Sequence, residues 1–225
     1  MTEGQLAGRV AVVTGAGQGM GRAITQRLAA EGAKVAALDL NLEQAQESVA
    51  GCVDPSVCEA YVCNVSDSGA VNEVFATVES ALGPVSILVN NAGIGRAPGD
   101  GSDQMYELMG KRNEELAAGK DPKTQVDHII FMEDEGWQGV MGVNLDGAFY
   151  CTRAAVRSMV AADIKGSIVS ISSTAAQSGE GAVHYVTSKA AIVGLTRALA
   201  RELGGRGIRI NAVAPGPTNT PIMNG

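Results

Sequence analysis

Aromatic residues make up only 4% of this chain, while glycine occurs 29 times in 225 residues. That imbalance suits tight strand-to-helix turns and close helix–sheet contact, and it argues against an all-β sandwich. Basic residues are outnumbered, 17 Lys and Arg against 24 Asp and Glu, for a net charge of -7. With a pI near 4.9 and no basic stripe, the chain lacks the footprint that phosphate backbones require, so no nucleic-acid partner is expected. No apolar run reaches the length of a membrane span, and the first residues, "MTEGQLAGRVAVVTGAG", lack a charged region followed by an apolar stretch and a cleavage site. A cytoplasmic protein without a membrane partner is the expectation.

Paired cysteines are also missing. Cys52, Cys58, Cys63 and Cys151 form no C-x-x-C unit, and only His128 and His184 offer imidazole nitrogen. The four thiols therefore read as reduced, buried small hydrophobes rather than metal ligands or disulfides. Internal repeats, low-complexity stretches and linkers are absent too. One domain spanning 1–225 is the expected organisation.

What the chain does contain is alternation. Apolar runs too continuous for half-exposed strands recur at 9–15, 34–40, 59–65, 85–91, 166–172 and 207–215. Helix-period segments lie between them at 19–31, 41–51, 67–82, 133–162 and 183–204, several opening on polar residues such as Asn41, Asp67 and Glu133. This order predicts an α/β fold, a Rossmann-type doubly wound parallel sheet with its ligand beyond the strands' carboxyl ends. One stretch, 94–132, sits where a short connection would do. Its "SDQMYELMGKRNEELAAG" has room for a charged helix, and the charge mix makes solvated surface the plain expectation over a lid or an oligomer contact.

Two local patterns carry chemistry. In "VVTGAGQGMGRAI", Gly15, Gly17, Gly19 and Gly21 follow a strand and open a helix, where backbone N–H groups and the helix dipole can receive a pyrophosphate. The next strand ends at Asp39, a carboxylate placed to accept from an adenosine ribose and to repel a 2′-phosphate; a helix cap or loop acid is the bland alternative. NAD is therefore preferred to NADP. The second pattern is Tyr185 and Lys189, four apart and so on one face of a helix.

Together these residues resemble the short-chain dehydrogenase/reductase family, in its compact subgroup with a T-G-x-x-x-G-x-G motif, here Thr14 to Gly21. The likeness continues through N-N-A-G at Asn90 to Gly93, Asn144 in "GVNLDGAF", the serines of "SIVSISS", Tyr185 and Lys189, and "NAVAPGPTNTP" from Asn211. It implies cofactor contacts at Gly15, Gln18, Gly19, Met20, Gly21, Asp39, Asn64, Val65, Asn91, Ala92, Gly93, Tyr185, Lys189, Pro215, Gly216, Thr218 and Thr220. Asn64 departs from the family's usual aspartate, and its amide oxygen is the group expected to reach adenine.

The resemblance further implies an NAD(H)-dependent exchange of hydride between a secondary alcohol and a ketone. Tyr185 would act as general base or acid, Lys189 would favour the phenolate, and Asn144 would hold a relay water unless it only satisfies backbone in its own helix. A serine hydroxyl would orient the substrate: Ser173 by motif alignment, with Ser172, thirteen residues before Tyr185, in reserve. His184 reads as a bystander or pocket rim. The family also continues past the position of Gly225 into a substrate region, so that region is expected to be incomplete here, and it assembles as homotetramers or homodimers. A 3-oxoacyl-thioester reductase and a non-catalytic dinucleotide sensor are the rival readings.

Overall fold

The computed structural model describes residues 4–220, so the domain expected over 1–225 extends at both ends outside the described residues. Six strands form one wholly parallel sheet: β1 Val10–Thr14, β2 Lys34–Asp39, β3 Cys58–Val62, β4 Ile87–Asn90, β5 Gly166–Ile171 and β6 Ile208–Val213. Their spatial order is β3-β2-β1-β4-β5-β6. Every expected strand is present, and the sheet is doubly wound.

The continuous apolar runs are explained by what covers each face. Val12, Leu38, Leu88 and Ile168 point to a core shared with Val71, Phe75 and Val78 of α3 (Ser68–Leu82) and Ala155 and Met159 of α6 (Gly147–Ala161). Their neighbours Ala11, Val13, Val35, Ala37 and Val89 point the other way, towards Ala29 of α1 (Gly19–Ala30) and Val49 of α2 (Leu42–Ala50). Alternation across a strand thus leaves no polar face to show in the sequence. Asn41 and Asp67 accept N–H bonds at the starts of α2 and α3, as their residue type favours. The cysteines are free and buried in these cores. Burial pushes their thiols up, Cys58 to about 12 and Cys63 to about 11.

The remaining helices depart from the periodic reading in two places. The stretch expected to be one helix over 133–162 is α5 (Asp134–Met141), a π turn Gly142–Asp146, and α6. α4 (Ser102–Ala117) fills the inserted segment, a short α7 (Ala175–Ser178) follows β5, and α8 (Val183–Leu203) carries Tyr185 and Lys189. No helix among the described residues is long and apolar enough to cross a membrane.

The sheet order reverses at β1, which is flanked by β2 and β4. Parallel crossovers leave there on opposite faces, so a crevice opens between the carboxyl ends of β1 and β4. Thr14 spans it. Its Oγ1 accepts from the backbone N–H groups of Asn91 at 3.1 Å and Ala92 at 3.0 Å, and Asn91 Nδ2 donates back to the carbonyls of Thr14 and Gly15 at 3.1 and 3.0 Å. Thr14→Val keeps the shape and strands two N–H groups, so it is expected to cost about 2 kcal/mol in urea unfolding. An unchanged midpoint would mean that this hydroxyl does not hold the crevice.

Candidate active site

The glycine turn after β1 forms one wall of the crevice. A Cβ on Gly21 would lie 1.9 Å from the Gly15 carbonyl oxygen, and Gly15 itself takes a positive φ of 60°, so the turn is too tight for side chains. Gln18 stands at the N-cap of α1 without a side-chain capping bond, which leaves the first-turn N–H groups aimed outward. Arg22 props the turn from behind, donating to the Gly17 carbonyl at 2.6 Å and pairing with Glu47. The turn opens on a cleft of about 800 Å³ lined by Gly15, Gln18, Gly19, Met20, Asp39, Asn64, Val65, Asn91, Ala92, Gly93 and Thr220. Gly21 lies buried beneath it.

Asp39 both serves the loop and faces this cleft. Its Oδ2 accepts from Gly17 N at 2.8 Å and its Oδ1 from Asn41 N at 2.9 Å. Each oxygen keeps a lone pair. Among the described residues the lining also holds Glu43 and includes no lysine or arginine. Asn64 is differently committed from the expectation: its Oδ1 already accepts from Ser66 N at 3.1 Å and Ser66 Oγ at 2.8 Å. The free group is therefore its amide N–H₂, a donor rather than the acceptor that an adenine amino group needs. Unpaired helix N–H groups, a turn that excludes side chains and a carboxylate at the second strand end fit a dinucleotide.

A second cleft of about 880 Å³ adjoins the first, sharing Met20, Asn91, Gly93 and Thr220, and it gathers Ser172, Ser173, Tyr185, Lys189, Pro215, Gly216 and Thr218. Lys189 is buried at 5% exposure. Its Nζ donates to the Ile171 carbonyl at 2.9 Å and lies 5.7 Å from the centre of the Tyr185 ring. Loss of hydration pushes its pKa down to about 8. Asn144, on the π turn, does not serve its own helix. Its Oδ1 accepts from Ile94 N at 2.8 Å, and its Nδ2 donates to Ile94 O and to Ser188 Oγ, both at 3.0 Å. One Oδ1 lone pair remains for a water.

The two serines separate cleanly. Ser172 is buried and spends its hydroxyl hydrogen on the Lys189 carbonyl at 2.7 Å. Ser173 accepts from Ala175 N at 3.2 Å and so retains its hydrogen for another partner.

Other placements run against expectation. His184 is no rim residue: it is fully buried, with Nε2 3.3 Å from Asp100 Oδ2. The inserted segment is not merely solvated surface, because Met105, Tyr106 and Met109 of α4, with Val126 to Ile129, line the second cleft. Sequence reasoning also passed over Ser188, which bridges Asn144 to the Tyr185 carbonyl. Its place inside the Y-x-x-x-K spacing, beside Lys189, was the available signal.

Comparison with known proteins places the chain in a family. The family model described as short chain dehydrogenase matches residues 9–225. The human (3R)-3-hydroxyacyl-CoA dehydrogenase is 36% identical over 230 residues, covering 98% of this chain and 77% of its own length. The 3-oxoacyl-[acyl-carrier-protein] reductase FabG of Thermotoga maritima is 36% identical over 225 residues, covering 97% of this chain and 77% of its own. Among solved structures, an NAD⁺-bound xylitol dehydrogenase superposes with a TM-score of 0.76 at 30% identity, over 94% of this chain and 71% of its own. These matches, all to dehydrogenases and reductases, set the sensor reading aside, and the chain belongs to the short-chain dehydrogenase family, oxidoreductases that use a nicotinamide dinucleotide.

Proposed function

We propose that the chain interconverts a secondary alcohol and a ketone with NAD(H), using Tyr185, Lys189, Ser173 and Asn144. The observation that carries this reading is the buried ammonium of Lys189 beneath the Tyr185 ring, at the junction of the two clefts. The nicotinamide, when bound, supplies the hydride acceptor or donor. The protein's part is to move the proton and hold the reacting carbon.

Phenol is a weak base near neutral pH, because its ordinary pKa is about 10. The Lys189 ammonium, 5.7 Å from the ring centre, is placed to stabilise negative charge developing on the phenol oxygen as its proton moves. With one N–H on Ile171 O, the ammonium has two left for cofactor ribose hydroxyls and the relay. Ser173, with its hydrogen free, donates to the substrate oxygen and sets its angle to Tyr185. Asn144 braces the Ile94 turn against α8 and offers its spare lone pair to the water that leads protons out.

The preference for NAD rests on the absence of any cation among the residues lining the adenosine cleft, where Asp39 and Glu43 both stand. Thioester substrates belong to two of the relatives by name. Here Asp127 and Glu180 line the second cleft, and Arg96 at its edge is ion-paired with Asp103, so the mouth does not favour a polyanionic carrier. Assembly as a homodimer or homotetramer through α6, which exposes Phe149 and Val160, and α8 belongs to the same reading.

Tyr185→Phe is expected to lower kcat by about 10² to 10⁴ with NAD binding retained. Ser173→Ala should lower it by about 10², whereas Ser172→Ala should act on stability; full activity in Ser173→Ala with loss in Ser172→Ala would reverse the assignment. In steady-state assays NAD is expected to exceed NADP in kcat/KM. Asp39→Ser should narrow that ratio by about tenfold or more, the equivalent of one displaced repulsion; a ratio that does not move would remove Asp39 from cofactor choice.

Lys189 also makes a pH signature. Its folded value near 8 lies below the ordinary 10.5, so between these values the unfolded chain holds the extra proton and stability rises with pH. The slope is at most about 1.4 kcal/mol per pH unit. The raised thiols work in the opposite sense only above their ordinary value of 9.0. Between pH 8 and 9 the apoprotein's urea midpoint should therefore rise relative to Lys189→Met; parallel curves would mean that Lys189 is not buried as a charge.

A further inference from the structure

The inserted segment is tied to the catalytic helix at one buried point. Asp100, 4% exposed, accepts Ser102 N at 2.8 Å on Oδ1 and Ala97 N at 2.9 Å on Oδ2, which caps the turn leading into α4. His184 Nε2 meets the same Oδ2 at 3.3 Å, and His128 Nε2 donates to the Asp100 carbonyl at 2.7 Å. The two imidazoles stack edge to face at 5.6 Å. From α5, Gly136 comes so near that a Cβ there would lie 2.4 Å from Asp100 Cα. The turn at 97–102 is thus gripped by α5, α8 and the short 3-10 turn His128–Phe131 together. Burial pushes the His184 imidazole down, towards the neutral form, and the N–H groups on its oxygens hold the Asp100 carboxyl below its ordinary value despite burial.

Several apolar side chains carried by that segment face the second cleft. Met105, Tyr106 and Met109 of α4 and Ile129 beyond it line this cleft together with Val183 and Tyr185. Tyr106, Met109 and Ile129 are 51%, 39% and 60% exposed, a cluster of apolar side chains left open beside the reacting group. Arg96 stacks 5.4 Å above the Tyr106 ring and is paired with Asp103, so it props the wall and is not free to bind an anion.

Resting on the active-site reading above, we propose that this segment is the substrate-selecting wall, that its Met105, Tyr106 and Met109 receive the apolar body of an uncharged cyclic or aryl secondary alcohol, and that Asp100 and His184 are the positioning residues that latch it to the helix of Tyr185. His184 sits one residue before Tyr185, so the latch sets the distance between wall and phenol directly.

The test compares 2-propanol, cyclohexanol, 1-phenylethanol and 3-hydroxybutyryl-CoA at saturating NAD, with melting temperature and NADH fluorescence as checks of folding and cofactor binding. Tyr106→Ala with Met109→Ala is expected to raise KM for 1-phenylethanol by about tenfold or more while 2-propanol changes less than about twofold. His184→Leu removes the N–H to Asp100 and should give the same selective rise, whereas His184→Gln restores a donor and should recover most of it. Equal losses for small and large alcohols, no loss for either, or failure of Gln to differ from Leu would overturn the latch and wall. A kcat/KM for the CoA thioester above that for 1-phenylethanol would overturn the substrate class. Undiminished turnover in Tyr185→Phe instead refutes the underlying site assignment, so the two failures are told apart.

Discussion

The separation of two strand ends is the constraint on which the site depends. β1 and β4 are adjacent, and the chain leaves each on a different face, so nothing in the sheet ladder holds their following turns in register. The Thr14 hydroxyl and the Asn91 amide supply that register with four short-range bonds across the crevice. Once the two turns are fixed, the glycine turn presents its N–H groups at one end, and the turn after β4 delivers Ile94 to Asn144 at the other. The same bracing that makes a dinucleotide crevice therefore also locates the π turn and, through Ser188, the helix bearing Tyr185 and Lys189.

Lys189 shows what the arrangement costs and why it is worth its cost. Burying the ammonium lowers its pKa from 10.5 to about 8, which is about 3 kcal/mol against the charged form. The Ile171 carbonyl offsets part of that loss by accepting one N–H. In return a buried charge 5.7 Å from the Tyr185 ring is screened less than a surface lysine would be. The useful feature is the burial, and the i,i+4 spacing alone does not supply it.

Strand positions were legible because parallel strands buried on both faces cannot hide their composition: Ala11 and Val12 point opposite ways and both are fully buried. The glycine turn, Asp39, Tyr185 and Lys189 were legible because each sits at an element end that the apolar periodicity already marked. The different bonding of Ser172 and Ser173 was not, since the Lys189 carbonyl captures the Ser172 hydroxyl, a contact 17 residues away in sequence. The π turn was invisible for a related reason. Gly142 to Asp146 fall inside one continuous helix-period segment, and the bond that the widened turn makes through Asn144 is to Ile94, 50 residues earlier. Asn64 lines the cleft as expected, but its own neighbour Ser66 takes the oxygen expected to reach adenine.

The inserted segment marks the deepest limit of reading by composition. "GKRNEEL" is a solvated helix face, and α4 does show its charges to water, with Lys111 and Glu107 paired on the surface. A helix has two sides, however, and Met105 and Met109, four apart, share the one turned to the cleft. What decides the segment's role is the orientation of that stripe, and orientation is set at Asp100, outside the helix, by partners from α5, α8 and the turn at His128. Charge on one face and function on the other are compatible whenever a buried anchor, rather than the helix's own composition, chooses which face looks inward.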